Sequence, residues 1–402
     1  MTVTAAPQDI PPRTIAPAPP ASMPPGPATA RVVRRAGFTI AADGSYAACL
    51  AEAALPGGGG WFTERWTLGG PEPYAVSLPG AQPEEPGTQV LPLPDGRVLI
   101  RRRVADRHDL ALLHPAGPGT AEVPLCSLPG EEVRLLPPAP GAAFALTYEN
   151  GVSTVWRVHG AGAGAGTGAG ADAGKGRPVR VTTVEGRCTG GVWLDRTGRL
   201  LALDRTLDGR TKAVAADLHT GTTSPLLQLT EDSDDRLLLA EPDSGLLLLR
   251  SDATGEARLG WGVLGSRRPV RFPETLRVPG VQLTPVAAQP GQVLSPEAVV
   301  VALRGEVPGG AESLALWRPG EREMHWRTSP RGWVGRSALW LPGGPLRVPY
   351  AGGGTACGLL SYGEPAEAAF RPPAPKRVRP MARRAPLSVL PLQQAPLARH
   401  AG

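Results

Sequence analysis

Lysine is nearly missing from this chain: Lys175, Lys212 and Lys376 are the three lysines among 42 basic residues. Aromatic residues make up 5%, and the four cysteines (Cys49, Cys126, Cys188, Cys357) lie far apart with no CxxC or short Cys/His pairing. A structural zinc site is therefore excluded, and each cysteine is expected to be a small buried apolar residue. No run of about 18 apolar residues occurs, which excludes a membrane-spanning helix. Residues 1–30 lack the basic start and continuous apolar stretch of a secretory signal, so a cytoplasmic location is expected. The six histidines (His108, His114, His159, His219, His325, His400) show no HxH or HExxH spacing and are read as ordinary strand, turn or tail positions. No GxSxG nucleophile elbow is present.

What is abundant is glycine and proline, 52 and 47 residues, together about a quarter of the 402. Both interrupt helices at a cost of about 1 to 3 kcal/mol each, so helix-rich folds are disfavoured. With 41% hydrophobic residues there is ample material for a core, and β structure with many turns remains. The net charge of +6 is not a property of the body of the chain. Residues 1–36 hold four arginines against Asp9, and residues 370–402 hold seven basic residues and no acid, which leaves residues 37–369 slightly acidic. A basic face for duplex phosphates is not implied, and no specific nucleic-acid binding is expected.

Three segments cannot bury enough surface to offset their ordering entropy. These are a Pro/Ala-rich arm at residues 1–29, a Gly/Ala insertion at residues 160–176 and a basic Pro/Arg-rich tail at residues 371–402. Between them, residues 30–370 carry a repeat. A turn marker followed by an apolar stretch recurs at Asp43-Gly44, Asp95-Gly96, Pro140-Gly141, Thr197-Gly198, Ser244-Gly245, Pro290-Gly291 and Gly343-Gly344. The intervals run from 45 to 57 residues, and the longest contains the Gly/Ala insertion.

One unit reads clearly. Residues 191–195 are apolar and end at a turn, residues 199–204 follow Gly198, Asp208-Gly209 marks a hairpin, residues 211–218 alternate, and residues 225–230 make a fourth strand. Aromatic residues recur on presumed third strands shortly before a glycine, at Trp66, Trp156 and Trp317. Fourth strands are expected to close at Leu78-Pro79-Gly80, Leu128-Pro129-Gly130 and Val278-Pro279-Gly280. Four short antiparallel strands in about 45 residues form a propeller blade whose two apolar faces only neighbouring blades can cover. The fold class is all-β: a propeller of seven four-stranded blades flanked by disordered N- and C-terminal arms, and monomeric. The ring-closing outer strand is expected from residues 30–35 against residues 355–362, with residues 367–370 as the alternative.

The order of turn, apolar strand, turn, strand ending in Thr-Gly and short strand, best seen at residues 195–230, resembles the repeats of TolB-like propellers. It is also similar to the propeller that precedes the hydrolase domain in prolyl oligopeptidase enzymes. The third strands read Trp66-Thr67, Trp156-Arg157 and Trp317-Arg318, without the Trp-Asp dipeptide of WD40 repeats. The resemblance implies a fold and no activity, because the roughly 30 residues after Ala369 are too few for an α/β-hydrolase domain.

Candidate chemistry is sparse. Residues 170–176 (GADAGKG) look like a phosphate loop but have the wrong glycine spacing, and Gly176 stands where a Ser or Thr must reach magnesium. The stretch Glu231-Asp232-Ser233-Asp234-Asp235 lacks the glycine and distal glutamate of a calcium loop and reads as a solvated turn between units. No cofactor or metal is expected. Arg187, Arg236 and Arg336 open presumed first strands, which line the channel of a propeller, and together they form a candidate anion site. In the tail, Arg371, Lys376, Arg377, Arg379, Arg383 and Arg384 offer weak contact with acidic surfaces, and residues 388–398 read as a docking peptide. The functional expectation is a non-enzymatic propeller acting as a protein-interaction platform. The alternatives are a substrate gate for a separately encoded hydrolase and a small-anion-binding propeller.

Overall fold

Glycine is required at all seven turn markers, because each sits where the chain reverses between the first and second strand of a sheet. In the computed structural model Gly44, Gly96, Gly141, Gly198, Gly245, Gly291 and Gly343 all have positive φ, between 66° and 86°. A side chain at such a φ is strained, which is why the markers recur. The structure describes residues 32–54, 60–117, 119–160, 177–335, 337–352 and 355–363. The two arms and the Gly/Ala insertion, apart from Gly160, lie outside them, as do the loop-like residues 170–176, Arg336 and residues 367–370.

All 26 strands among the described residues fall into seven antiparallel sheets, each built in chain order from an inner first strand outward. Four-stranded blades 1 to 4 begin at Val32–Ile40, Gln89–Pro92, Glu132–Leu135 and Arg187–Trp193. Blade 6 begins at Gln282–Ala288 and is also four-stranded, whereas blades 5 (from Asp235–Glu241) and 7 (from Leu339–Trp340) show three strands. The first strands are one another's neighbours around the axis. Several carry bulges, at Ala36/Thr39, Thr189/Val192, Leu237/Leu239 and Pro285/Ala287, which add twist where the sheets converge. Among the described residues no helix is long and apolar enough to cross a membrane.

The apolar faces are covered as the repeat requires. Seven buried clusters occur, one at each junction between adjoining blades. Alternate residues of a second strand serve opposite neighbours: Ala48 and Leu50 pack toward blade 2, Ala47 and Cys49 toward blade 7. This explains why second strands are apolar runs instead of alternating patterns.

Two expectations need correction. Residues 32–35 do not close blade 7; they belong to the first strand of blade 1, with Val32 opposite Ala53 and Arg35 opposite Ala51. Among the described residues no backbone pairing joins blade 7 to blade 1. The strand Thr355–Tyr362 lies alongside Tyr74–Leu78, and Phe38, Trp66, Val334 and Leu339 pack in the seam. The fourth strand of blade 5 is also missing at Val278-Pro279-Gly280. It is reduced to one bridge in which Trp261 and Arg271 exchange both N–H···O bonds at 2.9 Å, followed by a 3-10 turn at Glu274–Leu276. Pro269 and Pro273 flank Arg271 and have no N–H to extend the ladder.

Candidate functional site

In an up-and-down blade the 2–3 hairpins and the 4–1 connections lie on one face of the ring. On that face, across blades 2, 3 and 4, a cavity of about 410 Å³ is lined by Arg101, Arg103, His108, Arg134, Tyr148 and Cys188, with Glu85, Glu131 and Glu132 at its exposed rim. The second strand of blade 2, Val98–Val104, delivers Arg101 and Arg103. After a tight hairpin the third strand, Arg107–Ala116, returns His108 opposite Arg103. Arg134 comes from the first strand of blade 3 and Cys188 from the first strand of blade 4.

Arg101 is 7% exposed and has no carboxylate partner. Its Nη1 donates to His108 Nδ1 at 2.8 Å and its Nη2 to the Gly87 carbonyl at 2.7 Å, while Nε donates to nothing. Burial, and then the charge of Arg103, lower its pKa. Because Nδ1 accepts, His108 is the neutral tautomer with its proton on Nε2. Burial and the Arg101 charge both hold its pKa below the usual histidine value, against the pull of the backbone at Glu131 and Gly130. Arg134 is less satisfied still: Nε and Nη2 are both shielded from water and donate to nothing. Desolvation lowers its pKa, opposed only by Cys188 and Asp204 nearby.

Near Arg134 is Asp204, on the second strand of blade 4 and 6% exposed. Its Oδ1 accepts the N–H of Leu237 from blade 5 at 3.0 Å. The first-strand bulge of blade 4 makes room for it. Gly190 has φ +72°, and a Cβ there would stand 2.8 Å from Asp204 Oδ2. Burial pushes the Asp204 pKa up to about 6, against the Leu237 N–H and the charges of Arg236 and Arg134.

A carboxyl that titrates at about 3.9 when unfolded and higher when folded binds more protons in the native state between those values. Its stabilisation is complete below the unfolded pKa and is lost as pH rises through the folded one. Asp204→Asn, which keeps an acceptor for Leu237, is therefore expected to stabilise the fold at pH 7.5 by up to about 3 kcal/mol, and by clearly less at pH 4.5. Urea unfolding at the two pH values checks this; an equal gain at both would mean that Asp204 ionises normally.

The three arginines expected at the channel fare differently. Arg187 Nε and Nη2 donate to Glu132 at 3.0 and 2.9 Å across the blade 3–4 boundary, and both side chains are half-exposed. Arg236 donates from Nη2 to Thr211 Oγ1 at 3.0 Å and lies near Asp204. No hydrogen bond or shared acceptor joins Arg187 to Arg236, and Arg336 is outside the described residues. Arg101, His108, Arg134 and Asp204 were not foreseen. The available signal was the phase of the repeat, since Arg134 occupies the first strand of blade 3 just as Arg187 and Arg236 occupy those of blades 4 and 5.

The acidic stretch is likewise not a plain solvated turn. Glu231 and Asp232 are exposed, but Ser233 and Asp235 are buried and tie blade 4 to blade 5. At the other mouth of the channel a hollow of about 380 Å³ is lined by Pro137, Pro138, Trp193, Leu238 and Leu239 together with the charged Asp195 and Arg196.

No protein family and no curated protein matches the sequence. Solved structures do. Puromycin hydrolase is 18% identical with a TM-score of 0.49 over 82% of this chain and 52% of its own. The β-propeller domain of the Trilobed protease from Pyrococcus furiosus is 10% identical with a TM-score of 0.49, over 83% and 97% respectively. A protein designated TolB from Agrobacterium tumefaciens is 14% identical with a TM-score of 0.35, over 74% and 91%. The chain spans about half the length of the puromycin hydrolase and prolyl endopeptidase chains it matches.

Proposed function

We propose that this propeller is a non-enzymatic binding module that holds a peptide or protein partner on the face carrying the 2–3 hairpins and 4–1 connections. The observation that carries the reading is the pair of desolvated guanidiniums, Arg101 and Arg134, that line a cavity there and hydrogen-bond to no carboxylate. Buried cations are ordinarily paired, because an uncompensated one costs several kcal/mol. Two that are retained without a hydrogen-bonded carboxylate support a site kept for a ligand.

The groups in the cavity able to act as base or nucleophile support binding over catalysis. His108 Nδ1 is occupied by an Arg101 N–H, and burial raises the pKa of the Cys188 thiol, which disfavours its thiolate.

The test is to incubate the full chain with panels of peptides, esters and phosphate esters while following binding and turnover together. Retention without turnover, weakened at least tenfold by Arg134→Met, is expected. Turnover abolished by His108→Ala or Cys188→Ala would overturn the non-enzymatic reading.

A further inference from the structure

Several arginines of this chain close the Nε/Nη2 edge on a carboxylate. Arg35 closes it on Glu64 at 2.6 and 3.0 Å, Arg102 on Glu84 at 2.9 and 2.8 Å, and Arg187 on Glu132 at 3.0 and 2.9 Å. Arg196 does the same with both oxygens of Asp243. In each case the two parallel N–H bonds match the two oxygens of one planar carboxylate. Arg134 has the same edge, buried and empty. Turning it toward the cavity breaks no hydrogen bond, whereas Arg101 beside it is fixed by His108 and the Gly87 carbonyl.

We propose that the cavity receives the C-terminal carboxylate of a peptide, gripped by Arg134 against Arg101, with a cationic group of the same peptide lying on the rim formed by Glu85 and Glu131. The proposal rests on the binding-module reading and names its ligand. Three features select this chemistry. The empty edge suits a planar two-oxygen anion. The exposed glutamates disfavour a multiply charged phosphate and favour a positive charge close behind the carboxylate. Finally, about 410 Å³ with Val133, Leu146 and Tyr148 in the lining holds one or two residues and far exceeds a lone ion.

The experiment passes a randomised tetrapeptide pool with free C-termini, and the same pool amidated, over the immobilised full chain. Retained peptides are sequenced and titrated by calorimetry. The free-acid pool is expected to be retained selectively, with Lys or Arg enriched near the C-terminus. Affinity is expected to fall at least tenfold in Arg134→Met and to be unchanged in Arg196→Met, whose side chain is on the opposite face. Because the shielded Nε and Nη2 of Arg134 donate to nothing, Arg134→Met removes no hydrogen bond and should melt no lower than the parent, so that lost binding in a variant that melts normally is not ascribed to unfolding. Equal retention of the amidated pool, still dependent on Arg134, would defeat the carboxylate assignment and leave the binding module standing. Tighter binding of inorganic phosphate than of any free-acid peptide would also defeat it. If neither pool is retained, both readings fall.

Discussion

Glu64→Ala is expected to destabilise the protein by about 3 to 5 kcal/mol and to open the ring between blades 7 and 1. Glu64 is 3% exposed and lies on the face of blade 1 that packs against blade 7. It accepts two bonds from Arg35, at 2.6 and 3.0 Å, and one from Trp66 Nε1 at 2.8 Å, while Cys49 Sγ approaches to 3.6 Å. Removing the carboxylate takes two charge-assisted bonds from the largely desolvated Arg35 guanidinium and leaves the Trp66 indole N–H without its acceptor. No backbone pairing crosses this or any other blade junction among the described residues, but the other six junctions are also bridged by the chain passing from one blade to the next. Between blades 7 and 1 the described residues include no such connection, so side-chain packing carries the closure there.

The readout is local. Burial pushes the Cys357 thiol up to about 12 and holds the Cys49 thiol well above its ordinary value, so both should alkylate slowly in the parent. In Glu64→Ala both should react at least tenfold faster, ahead of global unfolding. Glu64→Gln combined with Arg35→Met, which removes the charge and keeps an acceptor for Trp66, should recover most of the loss. A seam that stays as slow to alkylate in Glu64→Ala as in the parent would show that this pair does not hold the ring.

The contrast between that seam and the rest of the ring also shows what a sequence of this kind discloses. The seven glycine markers were legible because a local backbone requirement, positive φ at one turn per unit, repeats with the period of the fold. Blade count and strand order follow from it. Ring closure did not follow, because a short strand-forming stretch such as residues 30–35 (ARVVRR) satisfies an inner strand of blade 1 and an outer strand of blade 7 equally well. The choice is made by Arg35 reaching Glu64, a contact 29 residues away in sequence.

The site was only partly legible for a related reason. Arg134, Arg187 and Arg236 occupy comparable first-strand positions, yet Arg187 hydrogen-bonds to Glu132, 55 residues away, and Arg134 hydrogen-bonds to no carboxylate. Whether an arginine is satisfied or waiting is decided across a blade boundary, and nothing local records it. The abundance of arginine made this worse by giving every arginine the same low information. Scarce lysine carried more, and Lys212 is where that matters.

Asp235→Ala is expected to cost a further 3 to 5 kcal/mol and, unlike the seam variant, to weaken ligand binding as well. Asp235 is fully buried at the start of blade 5 and accepts from Lys212 Nζ at 3.0 Å, Leu229 N at 2.9 Å and Ser251 Oγ at 2.6 Å, with Ser233 Oγ also on it. Lys212 Nζ in turn donates to the carbonyls of Thr230 and Ser233, both at 2.5 Å. A compact ammonium with three donors fits these converging oxygens, and a planar guanidinium does not. Lys212→Arg is therefore not conservative here.

The network fixes the strand that begins at Asp235, and two residues on, Leu237 N holds Asp204 beside Arg134 and Arg236. Loss of Asp235 should thus disturb Asp204 and, through it, Arg134 in the cavity lining. In a double-mutant cycle, Lys212→Met with Asp235→Ala should remain well below the parent, because the Leu229 N–H and the Ser251 hydroxyl stay unpaired whether or not the ammonium is removed. Urea unfolding of the four proteins, with peptide titration of each, measures both effects. Full stability in the double variant would reduce the junction to a simple ion pair, and unchanged affinity in Asp235→Ala would separate blade 5 from the site.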